Sequence, residues 1–592
     1  MSIRNVEKVL DSLPYRVGVG QDVVVESNPP SGADTPSAAS IGKRGWDFWA
    51  LLALIGAVLV VFGRICWFGF VLWDDNIHFQ ENQYLTSASG VAHIWSSAYE
   101  YLYIPVFYSF VRLISAGAPP NPHVLHFVSL ILHCANVALV YKLLRSLKIS
   151  APAALAGAAL FAVHPLQVES VAWAAELRGL LSSFFALLAM QLYLNYARKA
   201  GERLLDRNMP WMCGIFLCYV CGMLTKPSIV TLPLIFFAID WWEVATPVRA
   251  AMRRSLPFLL AALPIVLITQ QSQPILRYMS VSIWQRPVVL LDTFAFYLWK
   301  LALPLNLGMD YGRTPIKVVG EHGLVWICLV PLAALAGLLL WRGRPRHLTL
   351  GVWIFVAALL PVSGIVPFAY EHYSTVADRY CYLALLGPAI LLALVVERKP
   401  GAISWTGLAI LAFAVLAFAQ TATWRNSVAL FGQALRVNPH CYIAVFNTAF
   451  IRDREGRLDE AIADYNRAAS IDRNEAEPFV AIARAYIRQA KPVDALAAYQ
   501  RAVIVDAKCT TAYVEAANIL ENEHQYTEVV SLYRQGITAQ PGSALLHNNL
   551  GIAYAMQHDD ADAQNEFQAV LDIDPENEDA HRNMARLHTM SP

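Results

Sequence analysis

The stretch Trp46–Asn76, WDFWALLALIGAVLVVFGRICWFGFVLWDDN, indicates the class of fold because a long hydrophobic run ends on two adjacent carboxylates. The run reaches from Trp46 to Phe70 and is long enough to cross a bilayer as one helix. Asp74 and Asp75 follow where such a helix would meet water. A charge beside lipid is expensive and commonly has a function. The pair is therefore either a catalytic site or a solvated helix exit without chemistry.

The composition of the whole chain agrees with a polytopic membrane protein. Of the 592 residues, 56% are hydrophobic and 15% are charged, and the mean hydropathy is +0.42. The net charge is zero, which gives no electrostatic reason to expect a nucleic-acid partner. Most of the nine cysteines lie in apolar runs, where Cys packs as a small hydrophobic group, so we predict no metal site and no cofactor.

Hydrophobic runs along the chain predict about eleven transmembrane helices. The run at 287–308 carries Asp292 and Lys300 and is broken by Pro304, so we expect it to be re-entrant or interfacial. Residues 1–45 are polar and without periodicity, which predicts a disordered cytoplasmic tail. The predicted spans lie near residues 46–70, 122–146, 151–168, 177–197, 211–225, 227–243, 255–270, 323–342, 347–366, 378–397 and 402–421.

Basic residues decide the predicted orientation, because cytoplasmic loops carry an excess of Lys and Arg. Placing the basic loops on one side makes the N-terminus cytoplasmic. Asp74, Asp75 and everything after residue 421 then face the periplasm or lumen, which we call the far side. Ionisable groups concentrate at far-side helix ends, namely His164, Glu169, Arg178, Lys226, Asp378 and Arg379. This pattern predicts a water-facing cavity at one leaflet rather than an ion pathway through the bilayer.

Beyond residue 421 a period of 34 residues appears. Aromatic residues recur at Tyr465, Tyr499, Tyr533 and Phe567, and small residues at Ala449, Ala483, Ala517 and Gly551. This is the tetratricopeptide period, in which small and aromatic positions pack pairs of helices together. We predict four full repeats at 441–474, 475–508, 509–542 and 543–576, flanked by half repeats at 422–440 and 577–592. Together the patterns predict an all-α chain with a membrane domain over 46–421 and an α-solenoid over 422–592.

Six far-side motifs in order, followed by the repeats, resemble those of the transmembrane-and-tetratricopeptide-repeat protein O-mannosyltransferases and their bacterial relatives. The similar stretches are Trp73-Asp74-Asp75; Tyr103-Ile104-Pro105-Val106; His126 through His133 with Asn136; His164 through Trp173; Thr225-Lys226-Pro227 with Val230 through Pro233 and Asp240; and Ala377-Asp378-Arg379-Tyr380. One departure is Gly179, because relatives often read Glu-Arg-Lys-Asp where this chain reads Glu176-Leu177-Arg178-Gly179. The role of that position is therefore open.

The resemblance implies a GT-C glycosyltransferase that moves a sugar, mannose in that family, from a polyprenyl phosphate to Ser or Thr of exported proteins. A donor activated by phosphate needs one displacement with inversion, so one carboxylate base at the membrane surface suffices. The leaving phosphate needs cations or hydrogen-bond donors, for which Lys226, Arg379, Arg178 and His164 are the candidates. Glu169, Asp378 and Tyr103 are candidates for positioning the substrates. The chain contains no Gly-rich nucleotide cradle, which favours a lipid-linked donor.

Each residue keeps an alternative at this stage. Asp74 is our preferred base and Asp75 its neighbour, although the reverse is possible. Glu169 either orients a substrate or pairs with Arg178. The imidazole of His164 either contacts phosphate or satisfies the helix end beside Pro165.

Lys226 either meets the phosphate or extends to the membrane interface. Arg379 either meets the phosphate or pairs with Asp378. In each of these two cases the alternative role is structural and needs no substrate.

We expect an integral membrane enzyme, in a bacterial inner membrane, that contacts lipids and holds acceptor proteins in the groove of its repeats. One alternative is a lipid-linked glycosyltransferase whose acceptor is a glycan or a lipid. The other is a membrane anchor without catalytic activity that displays a repeat scaffold. The identity of the sugar, the acceptor and the oligomeric state stay open.

Overall fold

The computed structural model describes residues 38–199, 209–272, 281–320, 329–341, 343 and 345–590. The chain divides into two units, residues 1–48 and residues 49–592. Most of the predicted tail over 1–45 lies outside the described residues. Within the first unit the described residues are helical from Ala38, ahead of the predicted start of the first span at Trp46.

The membrane domain consists of α-helices joined by short turns, and its described residues contain no β-strand. The predicted all-α fold is thereby confirmed. Hydrophobic side chains from most of these helices form one continuous buried core. The helices are α1 (Ala38–Phe62), α2 (Gly90–Ser96), α3 (Pro105–Ile114), α4 (Pro122–Ser146), α5 (Ala151–Val163), α6 (Val168–Ala172), α7 (Leu177–Lys199), α8 (Met209–Met223), α9 (Leu232–Ala238), α10 (Val248–Ser272), α11 (Arg286–Ala302), α12 (Pro315–Gly320), α13 (Leu329–Leu340), α14 (Arg346–Leu359), α15 (Leu386–Arg398) and α16 (Ile403–Thr421).

Six helical stretches in the described part of the chain are long and apolar enough to cross a membrane, and a bent pair provides a seventh. The bent pair, α5 and α6, turns by 50° at Pro165, which cannot continue the hydrogen-bond ladder of α5. The predicted number of about eleven spans stays a prediction, because several other runs form shorter helices with breaks that hydropathy does not register. The six stretches are Gly45–Trp67, Pro122–Ser146, Ala174–Lys199, Pro227–Val244, Val248–Ser272 and Pro400–Trp424.

The ambiguous run at 287–308 forms α11 and then leaves the helix at Leu303. Its two charged groups have partners. Asp292 pairs with the guanidinium of Arg313, and the ammonium of Lys300 donates to the carbonyl of Leu305 at 2.6 Å. Whether α11 crosses the membrane or re-enters stays a prediction.

The repeat domain contains the four predicted helix pairs and both half repeats. The aromatic residues of the 34-residue period are buried, and Ala449, Ala483 and Ala517 are fully buried beside them. At Gly551 an added Cβ would lie 2.6 Å from the ring of Phe567, which explains the small residue in this register. The helices are α17 (Ser427–Val437), α18 (Tyr442–Arg454), α19 (Leu458–Ile471), α20 (Glu477–Arg488), α21 (Pro492–Val505), α22 (Thr510–Asn522), α23 (Tyr526–Ala539), α24 (Ala544–Met556), α25 (Asp560–Ile573) and α26 (Glu578–Met590).

The first repeat helices pack against the loops that carry the far-side motifs. The hydroxyl of Ser427 accepts a hydrogen bond from the amide of Leu72 at 2.9 Å, beside the Trp73-Asp74-Asp75 turn. The side chain of Asn438 donates to the carboxylate of Asp310 at 2.9 Å. The ring of Trp424 stacks on Trp173 with 5.6 Å between the centroids. The repeats therefore lie at the same end of the molecule as Asp74.

Candidate functional site

The Trp73-Asp74-Asp75 turn directs its two carboxylates to different surroundings. Asp74 has φ +57°, in the left-handed region that Asp tolerates better than most residues. Its carbonyl accepts from the amide of His78 at 2.8 Å, and the carbonyl of Trp73 accepts from the amide of Asp75 at 2.6 Å. This local backbone turns adjacent side chains apart, so one aspartate lies inside the protein and the other at its surface.

Asp75 lies inside and holds two segments together. It is 1% exposed, and its carboxyl oxygens accept from the amides of Val71 at 3.0 Å and Ala175 at 2.9 Å. Burial raises the pKa of Asp75 to about 8, against the opposing effect of these backbone hydrogen bonds. A buried carboxyl engaged by two backbone amides fits the role of the neighbour that holds the loop.

Asp74 is the accessible member of the pair. Its side chain is 32% exposed, and the guanidinium of Arg178 lies 3.5 Å from its carboxylate. This contact leaves part of the carboxylate accessible, and a general base must be within reach of an acceptor hydroxyl. The geometry therefore supports the preference for Asp74 over Asp75 as the base.

His78 holds Arg178 from the other side. The Nη1 of Arg178 lies 3.3 Å from the Nε2 of His78. Because a guanidinium can only donate, the Nε2 of His78 must be the acceptor. The Nδ1–H then donates to the hydroxyl of Tyr108 at 2.8 Å. Burial lowers the pKa of His78 to about 4, so the ring stays neutral and able to accept at neutral pH.

Ion pairs of alternating sign continue from Arg178 toward the membrane domain. The Nε of Arg178 lies 3.6 Å from Glu176, and the ammonium of Lys226 lies 2.9 and 2.7 Å from the two oxygens of the same carboxylate. Glu176 is 1% exposed, whereas the side chain of Lys226 is 19% exposed. Burial lowers the pKa of Lys226, and Glu176 counteracts this shift. The chain of charges thus connects Asp74 with Lys226.

Arg379 pairs with Glu169. Its Nη1 and its backbone amide donate to the two carboxylate oxygens at 2.6 and 3.0 Å. The two alternative pairings, of Glu169 with Arg178 and of Arg379 with Asp378, are not formed, because Glu169 and Arg379 pair with each other and Arg178 lies beside Asp74. Asp378 accepts from the hydroxyl of Tyr311 at 2.6 Å.

The guanidinium of Arg379 also lies among four aromatic rings. Its central carbon is 4.1 Å from the centroid of Tyr370 and between 4.9 and 5.8 Å from those of Tyr380, Trp173 and Trp73. Cation–π contacts of this kind fix a side chain in place while its charge is kept. Arg379 is thus held rigidly beside the residue that precedes Asp74.

A small cavity of about 30 Å³ lies between Lys226 and Arg379. Apart from these two cations its polar lining consists of hydroxyl groups. A Cβ at Gly179 would lie 2.3 Å from Glu176 and 3.3 Å from the Lys226 ammonium, so glycine provides room for their ion pair at the cavity wall. The hydroxyls belong to Ser182, Ser183, Ser228, Tyr380 and Tyr382. Ser182 already donates to the carbonyl of Gly222 at 3.0 Å, so the two cations and the other hydroxyls are the groups suited to bind a phosphate.

Two predicted residues are not brought into this cluster. Both ring nitrogens of His164 are engaged: Nδ1 accepts from the amide of Leu166 at 3.2 Å, and Nε2 contacts the carbonyl of Leu301 at 3.2 Å. This geometry contradicts a phosphate contact for His164 and corresponds to the helix-end alternative. The hydroxyl of Tyr103 donates to the carbonyl of Trp95 at 3.0 Å, within the loop between the first two spans.

Sequence reasoning assigned no role to His78, Glu176 or Tyr370. Glu176 stands two positions before Arg178 in a quoted far-side loop, so its acidic character was a usable signal. The ring of Tyr370 packs on Arg379, and His78 contacts a residue 100 positions away. No local pattern in the sequence predicts those two contacts.

Comparison with known proteins finds the same repeats and relatives of the family that the sequence motifs resemble. The tetratricopeptide repeat family matches residues 411–476 and 480–544. Protein O-mannosyl-transferase TMTC3 of Homo sapiens is 20% identical over 531 residues, which cover 79% of this chain and 57% of that protein. Protein O-mannosyl-transferase Tmtc3 of Drosophila melanogaster is 23% identical and covers 73% of this chain and 56% of that protein. Protein O-mannosyl-transferase Tmtc2 of the same fly is 29% identical over 210 residues, covering 33% of this chain and 22% of that protein.

The chain thus spans a little over half the length of the TMTC3 relatives that it matches. The repeats occupy less than a third of the chain, so a similarity that covers 79% of it includes much of the membrane domain. The resemblance to the transmembrane-and-tetratricopeptide-repeat O-mannosyltransferases, drawn above from six motifs, is confirmed as a similarity over most of the chain.

Proposed function

We propose that this membrane protein is a GT-C glycosyltransferase that moves a sugar from a polyprenyl phosphate to the hydroxyl of Ser or Thr in exported proteins. The relatives are named protein O-mannosyl-transferases, so mannose is the sugar that we propose. The observation that carries the proposal is the half-exposed Asp74, linked through Arg178 and Glu176 to a cavity lined by Lys226 and Arg379.

In the proposed reaction, the acceptor hydroxyl oxygen attacks the anomeric carbon of the sugar. The bond between that carbon and the phosphate oxygen breaks, and the hydroxyl proton moves to the carboxylate of Asp74. One displacement inverts the anomeric centre. Arg178 pairs with Asp74, and the neutral imidazole of His78 holds Arg178 in place. Asp75 maintains the turn that exposes Asp74.

The polyprenyl phosphate leaves with its negative charge, which a group fixed beforehand stabilises at low cost. Lys226 and Arg379 supply compensating positive charge at the cavity. Glu176 immobilises Lys226, and the aromatic rings immobilise Arg379. Since each cation already has a carboxylate partner, the phosphate would share these cations rather than meet bare charges. No metal ion or cofactor enters the proposed reaction.

We place the acceptor between Asp74 and the repeats. Stacked helix pairs form a concave surface that suits extended polypeptide. Attachment of α17 beside the turn of Asp74 supports this placement, since a segment held by the repeats would be present at high effective concentration. We propose that this side faces the periplasm, in a bacterial inner membrane.

The test is transfer of labelled mannose from a synthetic polyprenyl-phosphate mannose to protein, with membranes that contain the full chain. We expect Lys226→Gln to raise the KM for the donor by more than tenfold while the protein stays folded. Lys142→Gln, which removes an exposed lysine near the C-terminal end of α4 on the predicted cytoplasmic side, is the matched control.

Three results would contradict the proposal. Label in glycolipid but not in protein would indicate a glycan or lipid acceptor. Absence of transfer with several lipid-linked sugars, together with retained binding partners, would favour the scaffold without catalysis. An unchanged donor KM in the Lys226 variant would exclude the cavity as the donor site.

A further inference from the structure

A second group of potential ligand side chains lies outside the site described above. His372 lies in the turn Ala369–His372, whereas Asp472 and Glu475 lie between α19 and α20 of the repeats. One potential ligand atom from each of the three residues lies within 4.8 Å of the other two. His372 Nε2 is 3.1 Å from the carboxylate of Asp472, and these two side chains are 8% and 11% exposed.

Three acidic residues stand close together in the chain at this junction, namely Asp472, Glu475 and Glu477. Like charges held close together repel each other. A bound cation would remove that repulsion.

Tyr442 gives an independent indication that a ligand belongs here. Its hydroxyl is buried, and within the described part of the chain it has no hydrogen-bond partner. The phenol of Tyr442 lies near the carboxylates of Glu477, Glu475 and Asp472. A buried polar group without a partner is uncommon in native proteins, and an ion or its water is a frequent explanation.

We propose that His372, Asp472 and Glu475 bind a divalent transition-metal cation at the junction between the membrane domain and the repeats, with Zn²⁺ as the best fit. One imidazole nitrogen and two carboxylate oxygens are a suitable ligand set for Zn²⁺, and Mn²⁺ is the nearest competitor. Metal–ligand bonds of about 2.0–2.2 Å leave tetrahedral ligands about 3.5 Å apart, so small side-chain rotations bring the three atoms into place. A water molecule would complete the tetrahedral coordination.

If the proposed function holds, the metal would connect the loop of the candidate site with the domain proposed to hold acceptor proteins. Two residues before His372, the ring of Tyr370 packs on the guanidinium of Arg379. Asp472 and Glu475 belong to the first pair of full repeats. The cation therefore fixes the repeats relative to the loop that positions Arg379.

The test measures metal content and affinity in the purified full chain in detergent. After treatment with EDTA and its removal, ZnCl₂ is titrated by calorimetry, and bound metal is counted by mass spectrometry. We expect about one Zn²⁺ per wild-type chain and at least a tenfold weaker affinity for His372→Gln and for Glu475→Gln. These variants lie in different domains, so the same loss in both does not reflect one local misfolding.

The matched control is His547→Gln. His547 forms a pair with Glu566 at 2.6 Å, but the described residues place no third ligand beside that pair. This variant should bind Zn²⁺ like the wild type. Absence of Zn²⁺ and Mn²⁺ binding to the wild type at micromolar concentration, or equal binding by all variants, overturns the proposal. Because metal is counted without any transfer reaction, this result is independent of the proposed activity.

Discussion

Replacing each aspartate of the pair by asparagine should separate the two roles that the structure assigns to them. Asn has nearly the same shape and also tolerates the left-handed backbone at Asp74, so Asp74→Asn removes the base without adding strain. Loss of general-base catalysis typically lowers the rate by about 10²–10⁴-fold. We therefore expect kcat to fall in this range, with little change in thermal stability, because the side chain is 32% exposed.

Asp75→Asn should act mainly on stability. Both oxygens of the protonated carboxyl can still accept a hydrogen bond, whereas the NH₂ group of the amide accepts none and would face the backbone amide of Val71 or Ala175. A buried donor left without an acceptor costs about 1–3 kcal/mol. We expect a loss of stability of this size and a smaller decrease in kcat than for Asp74→Asn.

The two variants also differ in how stability depends on pH. The folded protein holds the proton of Asp75 up to about pH 8, whereas an unfolded chain releases it near pH 4. This contribution to stability is fully present below about pH 4 and is lost as the pH rises toward 8. Asp75→Asn removes the titration, so the stability difference between the variant and the wild type should shrink as the pH rises from 5 to 8.

The assay combines label transfer from polyprenyl-phosphate mannose with thermal unfolding of the same detergent-purified samples between pH 5 and 8. The reasoning is refuted if Asp74→Asn retains full transfer at normal expression. It is equally refuted if Asp75→Asn loses transfer completely while its melting temperature and the pH dependence of that temperature match the wild type. That second result would make Asp75 the base and leave Asp74 with the structural role.

Two glycines give further expected outcomes, with Gly214→Ala as the common control because a Cβ there meets nothing within 4 Å. Gly179→Ala would press against the carboxylate of Glu176 and should raise the donor KM by about tenfold, or about 1.4 kcal/mol of donor binding, with expression unchanged. Unchanged donor kinetics would show that the cavity wall adapts. Gly551→Ala would meet the Phe567 ring at 2.6 Å and should destabilise the repeats by about 1–3 kcal/mol in denaturant unfolding without changing donor KM. Stability within 0.5 kcal/mol of the control would contradict this packing argument.

Local sequence patterns predicted much of the architecture. The 34-residue period predicted every helix pair of the repeats, because small and aromatic residues must recur wherever identical helix pairs stack. The hydrophobic run at 122–146 coincides with the helix Pro122–Ser146, which begins at a proline after the capping side chain of Asn121. Hydropathy was less informative where helices are short or bent, since it counts apolar residues and does not register the break at Pro165.

The sequence also predicted that the residues of the candidate site lie at helix ends on one side of the membrane, because charges avoid the bilayer interior. It left open which of them meet. Glu169 and Arg379 are 210 positions apart, and His372 and Asp472 belong to different domains. Such pairs depend on how helices pack across the chain, which no local period encodes. Likewise, the sequence does not distinguish the neighbouring aspartates Asp74 and Asp75. In the structure the left-handed backbone at Asp74 turns the carboxylate of Asp75 inward and leaves that of Asp74 exposed.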